Sequence, residues 1–463
     1  MKKLNLFSAI MRTSSGKPGK PIPKLKSNLF MPRKELLDKL ERAFDSHGDV
    51  IEIVGAPIRI FFFRNPDHIA AILKHPSLSR IKFMGLTPRL RWVMPKGGVV
   101  QKGTGTWGRK RLQVGGAFDD AFLSRYLTRS IPIIRGMLQS WYSLEQAKKD
   151  TGVFIDIRWQ FQTLITQAIF KMFFDKDLLP DAVERIRAAT HYVEMSFGSL
   201  VPMWVPTPSN LRVRKYTAEI KRTMLGLLNE RRKNPKKAED DLLSVLLILR
   251  DEKEEFWKDD EIVDEILSVY FGATVTSAPL IWEFYFISTQ PKVRDRLVHE
   301  IQTVLQGREP RMEDLPNLPY AEAILKETLR LRAPFTGAFP RLCTTAFETD
   351  GYFFPRRSVL IPSSYHAHRH PKFWQDPETF DPDRFLENER NIHPYAYFPF
   401  SKGARHCLGS VFAPLFLQLI TIMIHQRYVM EFRPQTPLDP RINYDHEVQP
   451  DGPVFMQLYP VAR

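Results

Sequence analysis

The sequence predicts a mainly α fold with a smaller β portion, closed as a single domain. Three observations carry that reading. Helical periodicity dominates from residue 67 to Pro334. The β-type runs are short and gather toward the two ends, at Val50–Val54 with 58–63 and at 352–361 with 454–459. No repeat, low-complexity tract or linker long enough to divide the chain interrupts them. At 463 residues, 43% hydrophobic and 12% aromatic, the chain has ample material for one large core.

Taken in order, residues 1–40 form a basic, Pro-containing arm, with Lys17, Pro18, Lys20, Pro21, Pro23, Lys24 and Lys26 favouring an extended, solvated chain. The apolar stretch 1–11 is too short to span a bilayer and lacks a convincing small-residue cleavage site. No run of about 18 apolar residues is expected to cross a membrane. Peripheral contact of the basic arm with an acidic membrane surface is open to it; a mobile tail is the simpler reading. Residues 41–463 are expected to be one catalytic domain. It begins with a hairpin, Val50–Val54 and 58–63, turned at Gly55-Ala56-Pro57. Helices follow at 67–74, 119–142, 154–174, 181–197, 211–232, 238–250, 260–289, 291–306 and 319–332. Short strands and Pro-rich turns come next, and a last helix starts behind Cys407.

Two cysteines, Cys343 and Cys407, cannot make a disulfide framework, which places the chain in a reducing, cytoplasmic setting. The net charge of +15 is scattered and accompanied by no nucleic-acid motif, so no nucleic acid is expected as partner. An acidic electron-transfer partner explains the charge as well, because charge steers association. Solubility alone explains it too.

The chemistry concentrates in Phe400-Ser401-Lys402-Gly403-Ala404-Arg405-His406-Cys407-Leu408-Gly409. Glycines permit tight turns and close approach to a flat ligand. A thiolate on such a loop, with a helix behind it, is suited to bind iron, and Arg405 offers a cation to a neighbouring carboxylate. The plain alternative is a buried free cysteine. Cys343 reads as a small buried hydrophobe.

Elsewhere, Glu327 and Arg330 share a helix face, and Arg384 lies further along in Asp381-Pro382-Asp383-Arg384-Phe385. Together they can form a buried carboxylate held by two arginines, although an ordinary surface pair is the alternative. Trp107 and Arg111, four apart, present two donors suited to a cofactor carboxylate. Within 260–289, Pro279 lacks the N–H for the Val275 carbonyl, which predicts a kink with that carbonyl free, flanked by Thr274 and Thr276. His366, His368 and His370 alternate as ligands on a strand would, but the prolines after them argue against a metal site.

These elements, in this order, resemble the cytochrome P450 superfamily of haem-thiolate monooxygenases, of the soluble, bacterial-like type. The resemblance covers nearly the whole chain. The family's cysteine loop is matched at Phe400, Gly403, Arg405, Cys407 and Gly409, its Glu-x-x-Arg motif at Glu327 and Arg330 with Arg384 as third member, and its Trp-x-x-x-Arg motif at Trp107 and Arg111. It implies haem b, with Cys407 as its metal ligand and Trp107, Arg111, Arg341 and Arg405 at the propionates. Glu327, Arg330 and Arg384 would serve structurally. It implies electrons from a ferredoxin or a flavin-containing reductase, and Lys102, Lys110 and Lys402 are candidates for the docking face.

The departure lies in the oxygen-activation helix, where the family's acid falls at Thr274 and its threonine at Val275. Valine cannot donate a hydrogen bond, so Thr274, Thr276, a water at the Val275 carbonyl or a substrate hydroxyl would have to guide protons. Phe271, at a usually small position, implies a narrowed pocket, and Pro414 a bend in the last helix. The pocket walls expected by position are Phe83 to Met94, Val201 to Trp204, Tyr270 to Ala273, Phe335 to Phe339, and Val454 with Phe455. They are apolar enough for a lipophilic substrate such as a terpenoid, fatty acid, steroid or polyketide. Three functions remain open: an ordinary monooxygenase, an atypical haem-thiolate enzyme (coupling, rearrangement, dehydration or peroxide use), and a non-catalytic haem-binding sensor or carrier.

Overall fold

The computed structural model describes residues 19–27, 31–54, 58–78, 88–98, 101, 107–147, 153–197, 199, 201–235, 241–250, 255–387, 389–432, 442–443, 448–450 and 452–461. Twelve longer helices carry the architecture: α1 Arg33–His47, α2 Pro66–Lys74, α3 Trp107–Gly115, α4 Asp120–Ala147, α5 Ile157–Phe174, α6 Pro180–Met195, α7 Pro208–Lys233, α8 Asp259–Thr274, α9 Ser277–Thr289, α10 Pro291–Leu305, α11 Pro319–Arg332 and α12 Phe412–His425. Proline is the first residue of α2, α6, α7, α10 and α11. Its missing N–H costs nothing there and its fixed φ suits a helix start. Side chains complete several starts: Asn65 accepts from the Asp67 N–H, Asp156 from Arg158 and Thr207 from Asn210.

A five-stranded sheet has the order β1 (Lys24–Lys26), β2 (Val50–Val54), β3 (Ile60–Phe63), β8 (Val359–Pro362), β5 (Arg341–Leu342). The β2–β3 hairpin falls where expected, its turn lying outside the described residues. A second sheet joins β4 (Val153–Asp156), β12 (Phe455–Pro460) and β9 (Tyr428–Phe432), all antiparallel. The largest apolar cluster draws on α4, α5, α8, α9 and α12, for example Tyr126, Phe161, Ile266, Leu280 and Phe416.

Several expectations need correction. The arm over 1–40 is not free along its described part: Lys24–Lys26 pairs parallel with β2, and α1 buries Leu37, Leu40 and Phe44. Residues 153–156 are a strand rather than the start of a helix, because β12 lies alongside them. The strand expected over 352–361 is two, β7 (Tyr352–Phe354) and β8, parted by a turn in which Arg357 takes φ 71°. The 238–250 helix is shorter, Leu242–Ile248, and 236–240 lie outside the described residues. The 260–289 helix is interrupted at Val275 and Thr276, both still right-handed helical in backbone, with φ −61° and −67°. Pro414 bends nothing, since it falls in the first turn of α12, where no carbonyl awaits its N–H. Finally, Leu408–His425 is long and apolar enough to cross a membrane, against expectation, but two-thirds of it is buried inside the protein as the helix behind the cysteine loop.

Candidate functional site

The cysteine loop is shaped by its backbone. Ser401 and Gly403 adopt φ 57° and 76°, the left-handed region where glycine is at ease and serine is not. These turns bring the Cys407 N–H to within 3.0 Å of the Phe400 carbonyl and present the thiol to solvent. A Cβ on Gly409 would reach 3.9 Å from Cys407 Sγ. The helix expected directly behind Cys407 begins five residues later, at Phe412; a 3₁₀ turn, Leu408–Ser410, intervenes.

Around Cys407 the fold gathers cations from three elements. Arg111 on α3 donates to the His406 carbonyl. Arg405 lies over the Trp107 ring with its guanidinium carbon 3.7 Å from the centroid, while Arg111 stands 5.8 Å from the same ring. Arg405 also donates to the carbonyls of Gly98 (3.2 Å) and Gln101. Arg341, at the start of β5, is fully buried and its Nε has no partner among the described residues.

The electrostatic consequence is severe. Burial pushes Arg341 down to about 10. Burial, with the charges of Arg341 and Arg111, pushes Arg405 down to about 9. Glu265 of α8 is the carboxylate that bears on Arg111, and burial raises it to about 7 while the Gly98 N–H bonds it at 2.7 Å. A like-charged, desolvated cluster of this kind is costly unless an anion completes it. A flat, dianionic cofactor beside a thiol therefore fits these residues. On α8, a Cβ added to Gly272 would meet nothing within 4 Å, leaving open space along that helix.

The sequence-derived candidates fall into two groups. Trp107, Arg111, Arg341, Phe400, Gly403, Arg405, Cys407 and Gly409 converge here. Glu327, Arg330 and Arg384 meet one another elsewhere: Arg330 grips Glu327 at 2.6 and 2.8 Å, and Arg384 Nε reaches Glu327 Oε1 at 3.2 Å. The histidines are core residues on a helical turn rather than a strand. His366 meets Ser363 (2.7 Å) and the Leu37 carbonyl (3.1 Å), and His368 meets the Arg330 carbonyl (3.1 Å) and Phe398 N–H (3.0 Å). No group of potential metal ligands is found among the described residues. Cys343 is buried, its thiol pushed up to about 12.

At the helix interruption, the Val275 carbonyl is not free as expected: the Ala278 N–H turns back to it at 3.3 Å, a tighter turn that sidesteps Pro279. Thr276 spends its hydroxyl on the Ala273 carbonyl at 2.7 Å. Thr274 instead reaches across to Glu194 of α6, a residue with no local signal in the sequence. Phe271 packs on Phe197, 5.4 Å between centroids. Lys110 is engaged with Glu261 (2.6 Å) and the Trp257 ring, so it does not offer a free docking charge. Lys102 and the loop residues 83–87 lie outside the described residues. Val201, Trp204, Phe335 and Phe455, expected in the pocket wall, are exposed.

A thiol on a Gly-turned loop, set beside Arg111, Arg341 and Arg405, is a site whose charge suits an anionic cofactor held next to sulfur. The chain belongs to the cytochrome P450 family, whose model matches residues 17–455. It is similar to cyclooctat-9-en-7-ol 5-monooxygenase of Streptomyces melanosporofaciens, 26% identical over 92% of this chain and 91% of that protein. Pentalenene oxygenase of Streptomyces avermitilis is 28% identical over 84% of this chain and 86% of its own length. A retinoic acid-bound cyanobacterial CYP120A1 has the same fold, with a TM-score of 0.81 at 20% identity, covering 95% of this chain and 100% of that one. The protein is a cytochrome P450 oxidoreductase of the monooxygenase kind.

Proposed function

We propose that the protein holds haem b through Cys407 and oxidises a lipophilic small molecule of terpenoid type, with electrons from a ferredoxin or flavin-containing reductase. The observation that carries this reading is the Arg111–Arg341–Arg405 cluster beside Cys407, which calls for two carboxylates at that place. Arg111, Arg405 and Arg341, with Trp107 clamped under two of them, would hold the propionates. Cys407 would bind the iron. When bound, the haem supplies oxygen activation at iron, with electron density pushed from the thiolate. The chain's own residues then exclude bulk water through the apolar lining, orient the substrate, and move protons along α8. The substrate class rests on the two Streptomyces relatives, whose names denote a cyclic unsaturated alcohol and a hydrocarbon.

Reduced, carbon monoxide-treated protein is expected to show the red-shifted absorbance of thiolate ligation, and Cys407→Ser to lose it. Identical spectra for the two would end the reading. Turnover of terpenoid candidates with NAD(P)H and surrogate redox partners then tests the activity. A second reading, peroxide use or another atypical haem-thiolate reaction, is favoured by Val275 at the usual threonine position. It predicts product from peroxide and none from reductant and O2.

A further inference from the structure

The oxygen-activation helix lacks its usual acid, and the fold places another carboxylate against that position. We propose that Glu194 of α6, acting through the Thr274 hydroxyl, is the proton-relay carboxylate of this enzyme. The inference rests on the haem-thiolate reading above and adds a residue to it.

Two rungs join α6 to α8, each four residues from the next on both helices. Thr190 Oγ1 meets Tyr270 Oη at 2.9 Å, both buried. One turn on, Thr274 Oγ1 meets Glu194 Oε1. The first rung joins two neutral hydroxyls and suffices as a tie between helices. The second introduces a charge-bearing group, half-buried, at the point where α8 ends and its backbone ladder is interrupted. A carboxylate there needs a reason, because partial burial penalises its charge.

Thr274 has a second oxygen within reach, the Phe271 carbonyl at 3.1 Å. One hydroxyl proton cannot serve both acceptors. With Glu194 ionised, the Thr274 O–H donates to the carboxylate. With Glu194 protonated, the carboxyl donates to Thr274 Oγ1, whose own proton turns toward the Phe271 carbonyl. A proton passed from the carboxyl to Oγ1, with the hydroxyl proton released to water in the pocket, leaves threonine neutral and Glu194 ionised; solvent then returns one proton to Glu194. No electrons move, and the charge balances at each stage. Neither neighbour competes for this work, since Val275 has no donor and Thr276 is tied to the Ala273 carbonyl.

The test compares Glu194→Gln, Thr274→Val and Thr190→Val in the haem-loaded enzyme. Glutamine still accepts the threonine hydroxyl but carries no relayed proton. Glu194→Gln and Thr274→Val are each expected to lower the fraction of reducing equivalents recovered in product by about tenfold or more, with no further loss when combined. Both should shift the infrared C–O stretch of the reduced carbonyl form, a readout of charge in the pocket that needs no turnover. Thr190→Val, which cuts the other rung, should do neither. Wild-type coupling and an unmoved stretch in Glu194→Gln would overturn the relay, as would equal losses in Thr190→Val, which mark a mere helix tie. A normal thiolate-type carbonyl absorbance in all three variants keeps that outcome separate from failure of the haem-thiolate reading.

Discussion

Glu327 and Arg330 form a two-pronged ion pair with no solvent access to either side chain. Three carbonyls, of His368, Pro377 and Thr379, take the remaining guanidinium protons at 2.7–3.0 Å. The Asp381 N–H and Arg384 complete the carboxylate. Replacing one partner strands the other's buried charge. Glu327→Ala is therefore expected to cost about 3–5 kcal/mol, read as a lowered denaturation midpoint and poor haem retention. A loss below about 1 kcal/mol would show that the pair behaves as a surface ion pair.

Arg341 should act oppositely on the two forms of the protein. In the haem-free form it is a desolvated cation facing Arg405. Arg341→Gln is expected to raise the melting temperature of haem-free protein and to speed haem release to an acceptor globin by about tenfold to a hundredfold, the loss of a charge-assisted hydrogen bond of about 1.5–3 kcal/mol. Slower release, or a less stable haem-free form, would contradict the propionate assignment.

What was legible in the sequence was what is local. Cys407, its glycines and Arg405 lie within ten residues, and Trp107–Arg111 and Glu327–Arg330 within one helical turn, so spacing singled them out and the family resemblance gave the two pairs their roles. Proline at a helix start is equally local, which is why most helix bounds fell within a few residues. The rest depends on partners far along the chain. Residues 153–156 are a strand because β12, 300 residues away, pairs with them. Pro279 has no N–H to give the Val275 carbonyl, but only the structure shows that the Ala278 N–H turns to that carbonyl instead. Glu194 had no motif around it; only the packing of α6 on α8 brings it to Thr274.

Val275→Thr places a hydroxyl where the family's threonine stands. It is expected to raise the coupling of electron use to product, and to raise it more in the Glu194→Gln background, where the added donor replaces a lost route. Product formed per NAD(P)H consumed, measured in both backgrounds, checks this. No gain in either would mean that a hydroxyl at 275 does not reach the protons that matter.

Glu283 of α9 should make stability fall with rising pH. Its carboxyl is fully buried, bonded to Thr421 at 2.9 Å through Oε1, with Oε2 unpartnered among the described residues. Burial pushes it up to about 8, from an ordinary 4.5. Below pH 4.5 both folded and unfolded chains hold this proton, so there is no penalty. Between 4.5 and 8 the unfolded chain releases it and the folded one keeps it, and stability declines until the folded group ionises. His366 and His368, pushed down to about 3, and His425, pushed down to about 4, work from the other side, losing stability as pH falls below 6.5. Glu283→Gln should remove the alkaline slope alone, adding about 1–3 kcal/mol at pH 8 and little at pH 5. Urea unfolding at the two pH values measures it, and a variant whose stability changes between them as the wild type's does would place the slope on another group.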